Sequence, residues 1–274
     1  PAFEKDSCGV GFVMNMKGEK SHEIIRQGIE ILNKLEHRGA CGSDSLTGDG
    51  AGLLIQMPHK FFKSQCPKID IELPEQGKYG TGLVFFPKDA RIHSFLDIFN
   101  KIIKHEGLSL LGWRKVPVDN TTIGHVAREA EPEIWQPFIA QGENPIDQEE
   151  LERRLYKVRK LVGKEIHYAG EAEYFVSFYI CSLSTRTFCY KGQLMSNQLE
   201  TYFLDLKDPE IESALALVHS RYSTNTFPSW GRAQPMRLIA HNGEINTVRG
   251  NQNWMRAREG MFDNDLFPEI DKIL

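Results

Sequence analysis

The sequence predicts an α+β fold of antiparallel sheets covered by helices, and three observations carry that expectation. Short apolar runs at residues 8–14, 51–57 and 215–220 have the length and composition of strands. Longer stretches at 21–36, 88–106 and 147–163 place apolar residues at helical spacing. The two strands at 173–190 form a hairpin-like pair instead of alternating one for one with helices. That order argues against a doubly wound parallel sheet.

Each element follows from its local pattern. Residues 8–14, opening Cys8-Gly9-Val10-Gly11-Phe12, read as a buried strand. The helix at 21–36 takes Ser21 as N-cap and Ile24, Ile25, Ile29, Leu32 and Leu35 as its stripe. It ends at His37-Arg38, with Gly39 as the stop. A polar loop, Ala40 to Gly50, leads into an apolar strand from Ala51 to Met57. Within it, Thr47-Gly48-Asp49-Gly50-Ala51-Gly52 lacks both the Lys-Ser/Thr of a phosphate loop and GxGxxG spacing. It reads as a tight turn into a strand whose backbone packs closely on a neighbour. A strand at 77–86, a helix at 88–106 and extended segments at 107–118 and 133–140 follow. The helix at 147–163 carries Leu151, Leu155, Val158 and Leu161 inward, and its Glu149-to-Arg154 charge run reads as a solvated face. Further strands are expected at 173–190, Leu215–Ser220 and Met236–Ala240, and a helix at 246–260.

Composition narrows the function classes. With 274 residues, 41% hydrophobic and 26% charged, the chain is expected to be soluble and globular. A net charge of -4 gives no support for a nucleic-acid or acidic-membrane partner. No apolar run is long enough to span a bilayer, and Pro1–Ser7 has no signal-peptide core. Pro1 is expected to be a natural start exposed by trimming of an initiator Met. Five cysteines with no CxxC pair fit a reducing, cytoplasmic setting. No metal site is expected, since the nine histidines are scattered without zinc spacing or HExxH.

The chemistry is concentrated in Cys8 and two downstream stretches. A thiol that attacks an amide needs a base, oxyanion donors and groups that fix the substrate's ends. No His lies near Cys8 in sequence, but a cysteine at a free terminus can use its own α-amine, with an unperturbed pKa of roughly 7.7–8.0. While Pro1–Ser7 remain attached, that nitrogen is an amide and accepts no proton. Alone, Cys8 reads more readily as a small buried hydrophobe on a strand. His219-Ser220-Arg221-Tyr222-Ser223-Thr224-Asn225-Thr226-Phe227-Pro228-Ser229-Trp230 offers Arg221, whose planar fork suits a carboxylate; a surface ion pair is the plain alternative. In Ala240-His241-Asn242-Gly243-Glu244-Ile245-Asn246-Thr247, Asn-Gly is either a hairpin turn or an oxyanion hole made of the Asn242 amide and the Gly243 N–H.

Taken together and in order, these runs resemble the class II glutamine amidotransferases, which belong to the N-terminal nucleophile hydrolases. The resemblance is closest to the glutaminase domain of the glutamate synthase large subunit and spans residue 8 to about 260. C-G-V-G-F or H-N-G-E alone is weak; the long T-N-T-F-P-S-W and A-H-N-G-E-I-N-T runs are specific.

The resemblance implies a four-layer αββα sandwich of two antiparallel sheets, with Pro1–Ser7 as propeptide and residues 8–274 as the glutaminase domain. It implies L-glutamine hydrolysis through a Cys8 thioester, with Asn242 and Gly243 as oxyanion hole and Arg221 on the α-carboxylate. Arg38 occupies the position of a residue that orders the loop near the nucleophile, and Thr224 and His241 are further substrate-binding candidates. Ammonia would pass to a synthase domain or subunit. FMN and an iron–sulfur cluster are implied only there, because this segment has no cysteine cluster for one. The α-ammonium of the substrate is expected to meet an Asp in an Asp-Ser turn; Asp263, Asp265 and Asp271 stand in other contexts, so the polypeptide is expected to continue past Leu274. Two other readings stay open: another N-terminal cysteine amidohydrolase, or a non-catalytic glutamine-sensing module.

The nucleophile assignment has a direct test. Cys8→Ala should lower glutamine hydrolysis by at least ~10³-fold, whereas Cys41→Ala should retain most of it. The reverse pattern would make Cys41 the nucleophile.

Overall fold

The structure, a computed structural model, describes residues 9–42, 44–88, 92–168, 178–223, 226–241, 247–262 and 265–267. The chain begins with β1 (Val10–Met14), α1 (His22–Lys34), β2 (Ala51–Gln56) and α2 (His59–Gln65). It continues through β3 (Tyr79–Thr81), β4 (Val84–Phe86), α3 (Ile92–His105), β5 (Leu108–Lys115) and α4 (His125–Glu129). Then come β6 (Glu133–Gln141), α5 (Gln148–Tyr168), β7 (Tyr179–Ile180), β8 (Thr187–Gly192), α6 (Leu199–Tyr202), β9 (Leu215–Ser220) and α7 (Val248–Glu259).

These strands form two antiparallel sheets, and the α+β architecture is that expected of an N-terminal nucleophile hydrolase. The first sheet has the order β1-β9-β2-β8; the second runs β3-β6-β4-β7 with β5 beside β6. Strand alternation sorts the second sheet's side chains onto two faces. Val84, Phe86 and Ile139 meet α3 and α5 through Phe95, Phe99, Leu151, Leu155 and Val158. Tyr79, Phe85, Ile134 and Phe138 turn the other way, into a larger core shared with the first sheet and α1. Phe62 bridges the sheets, with ring centroids 5.4 Å from Phe138 and 5.2 Å from Phe188. On the first sheet, α1 buries Ile24, Ile25, Ile29 and Leu32 of the stripe its spacing predicts, while Leu35 caps the helix end and is half-buried.

Several local expectations change. Ser21 precedes α1 but its side chain makes no capping bond; its backbone pairs instead with Ser213, N–H to O, at 3.1 and 3.2 Å. The strand at 77–86 breaks at Gly82-Leu83, where the 181–184 segment runs so close that a Cβ on Gly82 would lie 1.7 Å from the Ser182 oxygen. The helix expected to end at 163 runs to Tyr168, because Val162 and Ile166 extend its buried stripe. Met236–Ala240 is not a strand: Met236 N–H donates to Ile239 O at 2.7 Å, closing a turn that leaves Leu238 and Ile239 exposed. Apolar composition suggested a strand there, but the segment has no pairing partner among the described residues. Of the 173–190 pair, residues 173–177 lie outside the described residues, and the strands that follow form no hairpin: β7 pairs with β4 in the second sheet and β8 with β2 in the first.

A buried ion pair ties the second sheet to the β8 side of the first. Arg114 on β5 donates to both carboxylate oxygens of Asp205, at 2.6 and 2.8 Å, and the Tyr190 hydroxyl donates to Asp205 at 3.3 Å. Removing one partner strands a charge in the core. Asp205→Ala should therefore lose about 3–5 kcal/mol in urea unfolding, and Arg114→Met combined with Asp205→Leu should lose much less. Equal losses would deny the pair that role.

Candidate active site

Four segments converge where β9 ends. Ser220 N–H donates to Gly9 O at 2.7 Å, which ties the residue after Cys8 to the last residue of β9. Arg221 N–H donates to Gly50 O at 2.8 Å and Ala40 N–H to Arg221 O at 3.3 Å. Asp49 N–H donates to Ala40 O at 2.9 Å. One residue back, His219 Nε2 lies 3.0 Å from His241 O, which can only accept, so Nε2 is the donor. Gln234 grips the same residue twice: His241 N–H donates to its Oε1 at 2.8 Å, and its Nε2 donates to His241 O at 3.1 Å.

Close backbone approach explains the glycines here. Gly39 has extended dihedrals and caps the short 3₁₀ turn Glu36–Arg38; the left-handed stop is not used. A Cβ on it would lie 2.6 Å from Ser220 Oγ. Gly50 has φ +143°, which L side chains rarely adopt, and a Cβ on Gly52 would lie 2.3 Å from Gln234 O. The Thr47–Gly52 run is thus the close-packed turn its sequence suggests.

Arg221 is half-buried. Its Nη1 donates to Asp49 O at 3.2 Å and its Nη2 to Thr226 Oγ1 at 2.8 Å. Among the described residues it has no carboxylate within ion-pair distance, so its fork is not committed to an internal anion. Burial lowers its pKa, the Asp49 charge opposes that, and Arg232 adds to it. The guanidinium nonetheless stays charged. Asp49 is itself buried, which raises its pKa; the Ser223 N–H, donating to Oδ2 at 2.6 Å, and the Arg221 charge oppose the rise. A cavity of about 210 Å³ opens at this junction, walled by Gly39, Ala40 and Cys41, by Leu194 to Ser196, and by Ser220 and Arg221.

The expected site residues are therefore unequally placed. Arg221 lines the cavity. Arg38 is half-buried at the end of the 3₁₀ turn and does not line it. His241 is exposed, with its backbone fixed by His219 and Gln234. Cys8, Thr224, Asn242 and Gly243 lie outside the described residues, although their neighbours Gly9, Ser223 and His241 lie within them. Sequence reasoning missed Asp49 and Gln234, which order the loops on either side. The glycines flanking Asp49 were its signal; Gln234 had none. Among the described residues, no group of three His, Cys, Asp or Glu is placed to hold a metal ion. No helix among them is long and apolar enough to cross a membrane.

The sequence profile described as "Glutamine amidotransferases class-II" matches residues 8–274. The chain is 47% identical over 275 residues to "Glutamate synthase [NADH]" of Schizosaccharomyces pombe, covering 98% of this chain and 13% of that protein. It is also 47% identical over 276 residues to "Glutamate synthase [NADPH] large chain" of Bacillus subtilis, covering 100% and 18%. To "Ferredoxin-dependent glutamate synthase, chloroplastic" of Oryza sativa it is 42% identical over 267 residues, covering 96% and 16%. The chain thus spans less than a fifth of the length of these relatives.

Asp49→Ala leaves the Ser223 N–H without its acceptor and should cost about 1–2 kcal/mol in urea unfolding. Asp49→Asn keeps an acceptor and buries no charge, so it should stay within about 0.5 kcal/mol of the parent. A harmless alanine would mean that Asp49 does not order the Arg221–Ser223 loop.

Proposed function

Because the chain belongs to the class-II glutamine amidotransferases, we propose that Cys8 hydrolyses the side-chain amide of L-glutamine. The observation that carries this reading is the Ser220 N–H to Gly9 O bond at 2.7 Å. It sets the residue after Cys8 against the residue before Arg221, which supports a nucleophile and a carboxylate clamp at one end of the sheet. The Cys8 thiolate attacks the amide carbon, and the thiol proton passes to the freed α-amine of Cys8. The oxyanion accepts from the Asn242 side-chain amide and the Gly243 N–H. As it collapses, the C–N bond breaks, the amine returns its proton, and ammonia leaves a γ-glutamyl thioester. Water, deprotonated by the same amine, releases glutamate and regenerates the thiol.

Arg221 pairs with the α-carboxylate of the substrate. Its support is a half-buried fork with no carboxylate partner among the described residues. In this reading Arg38 orders the active-site loop near Cys8, and Thr224 and His241 bind substrate. Ammonia passes to a synthase region that makes glutamate, in line with the names of the relatives. In this reading FMN and the iron–sulfur cluster belong to that region. A cytoplasmic setting belongs to the same proposal, supported by the free thiols of Cys41, Cys66, Cys181 and Cys189 among the described residues. The family match over residues 8–274 does not favour the sensor or the other amidohydrolase.

Removal of Pro1–Ser7 is the decisive step for the base. A chain beginning at Cys8 should turn over glutamine at least ~100-fold faster than one whose intact mass includes the seven residues. Equal rates would show that the α-amine is not the base.

A further inference from the structure

Beneath the segment that leads to Asn242 lies a lysine with no solvent exposure. Lys191 on β8 is 0% exposed. Its Nζ donates to Gly231 O at 3.0 Å and to Ala233 O at 2.7 Å. Met236 Sδ lies 3.7 Å away and the Tyr179 ring centroid 4.4 Å. No carboxylate pairs with it among the described residues. Burying an ammonium this way is costly, and the two carbonyls and the ring only partly offset the loss of water. A methionine would fill the same space without that cost, so filling the core does not explain the charge.

What the charge does is fix a segment with little regular structure of its own. Apart from the 3₁₀ turn Trp230–Arg232, residues 226–241 belong to no helix or strand. Lys191 holds the carbonyls of Gly231 and Ala233, and the next residue, Gln234, holds His241 through two hydrogen bonds. His241 precedes Asn242 in the chain. We propose that Lys191 is a positioning residue for amide hydrolysis, setting the oxyanion donors of Asn242 and Gly243 through the Gly231-Ala233-Gln234-His241 backbone. This role rests on the glutaminase reading above. Oxyanion donors act on the transition state, and small displacements of them cost rate more than binding. Arg221 is also held from outside this segment, by the Gly50 and Asp49 carbonyls, so substrate binding should suffer less than rate.

The test compares the enzyme freed of Pro1–Ser7 with its Lys191→Met and Lys191→Gln variants, measuring kcat, KM and the melting temperature. Lys191→Met should lose at least tenfold in kcat with KM within threefold. Lys191→Gln, which still offers a donor to one carbonyl, should lose less. A folded Lys191→Met with parental kcat overturns the role, whatever its melting temperature; so does a loss confined to KM. If Lys191→Met does not fold, Gln234→Ala, the next link, must show the same fall in kcat at steady KM, and parental kcat there overturns the role. With all variants carried in the polypeptide extended past Leu274, no turnover by the parent enzyme overturns the glutaminase reading and this role with it. Parental turnover with unaffected variants removes only the role of Lys191.

Discussion

Strand β9 lies between β1 and β2, and this pairing is the constraint from which the site follows. Val10 and Gly52 both stand opposite His219, and Ser220 stands opposite Ala51. Where the ladder ends, the Ser220 and Arg221 N–H groups are received by Gly9 and Gly50. A one-residue slip would turn every side chain to the other face and part Arg221 from the residue after Cys8. The register is secured by burial: Leu53, Ile55, Ala216 and Val218 join the core that α1 covers. Packing at the centre of the sheet thereby fixes chemistry at its end.

Two buried cations stabilise this frame in different ways. Arg114 is paired by a carboxylate in a two-pronged contact, which suits a link between sheets that need not move. Lys191 is solvated by backbone carbonyls, so its energy is spent on loop conformation. Arg237 adds a third tether on the same segment, donating to Glu152 on α5 at 3.1 Å. The segment that reaches His241 is thus held by β8, β9 and α5, elements far apart in sequence.

Much of this was legible in the sequence where periodicity reports burial. Most of the α1 stripe and the strand Leu215–Ser220 stand as their patterns imply. Met236–Ala240 was not legible, because its apolar residues lack a pairing strand and side-chain tethers shape it instead. For the site, motif order gave Arg221 and the Thr47–Gly52 turn. It could not give Gln234 or Lys191, since their roles depend on backbone carbonyls that any sequence supplies. Cys8, Asn242 and Gly243 remain assignments of the motif, supported by where their neighbours Gly9 and His241 are held.

The central claim is that Cys8 and Arg221 act on one substrate at the end of β9. It is tested most directly with a glutamine analogue whose side-chain amide is replaced by a diazomethyl ketone, followed by peptide mapping of the adduct. The account predicts a single adduct on Cys8 in the chain freed of Pro1–Ser7, formed much more slowly in Arg221→Ala and prevented by excess glutamine. An adduct on Cys41, or one on Cys8 whose rate is indifferent to Arg221, would contradict it.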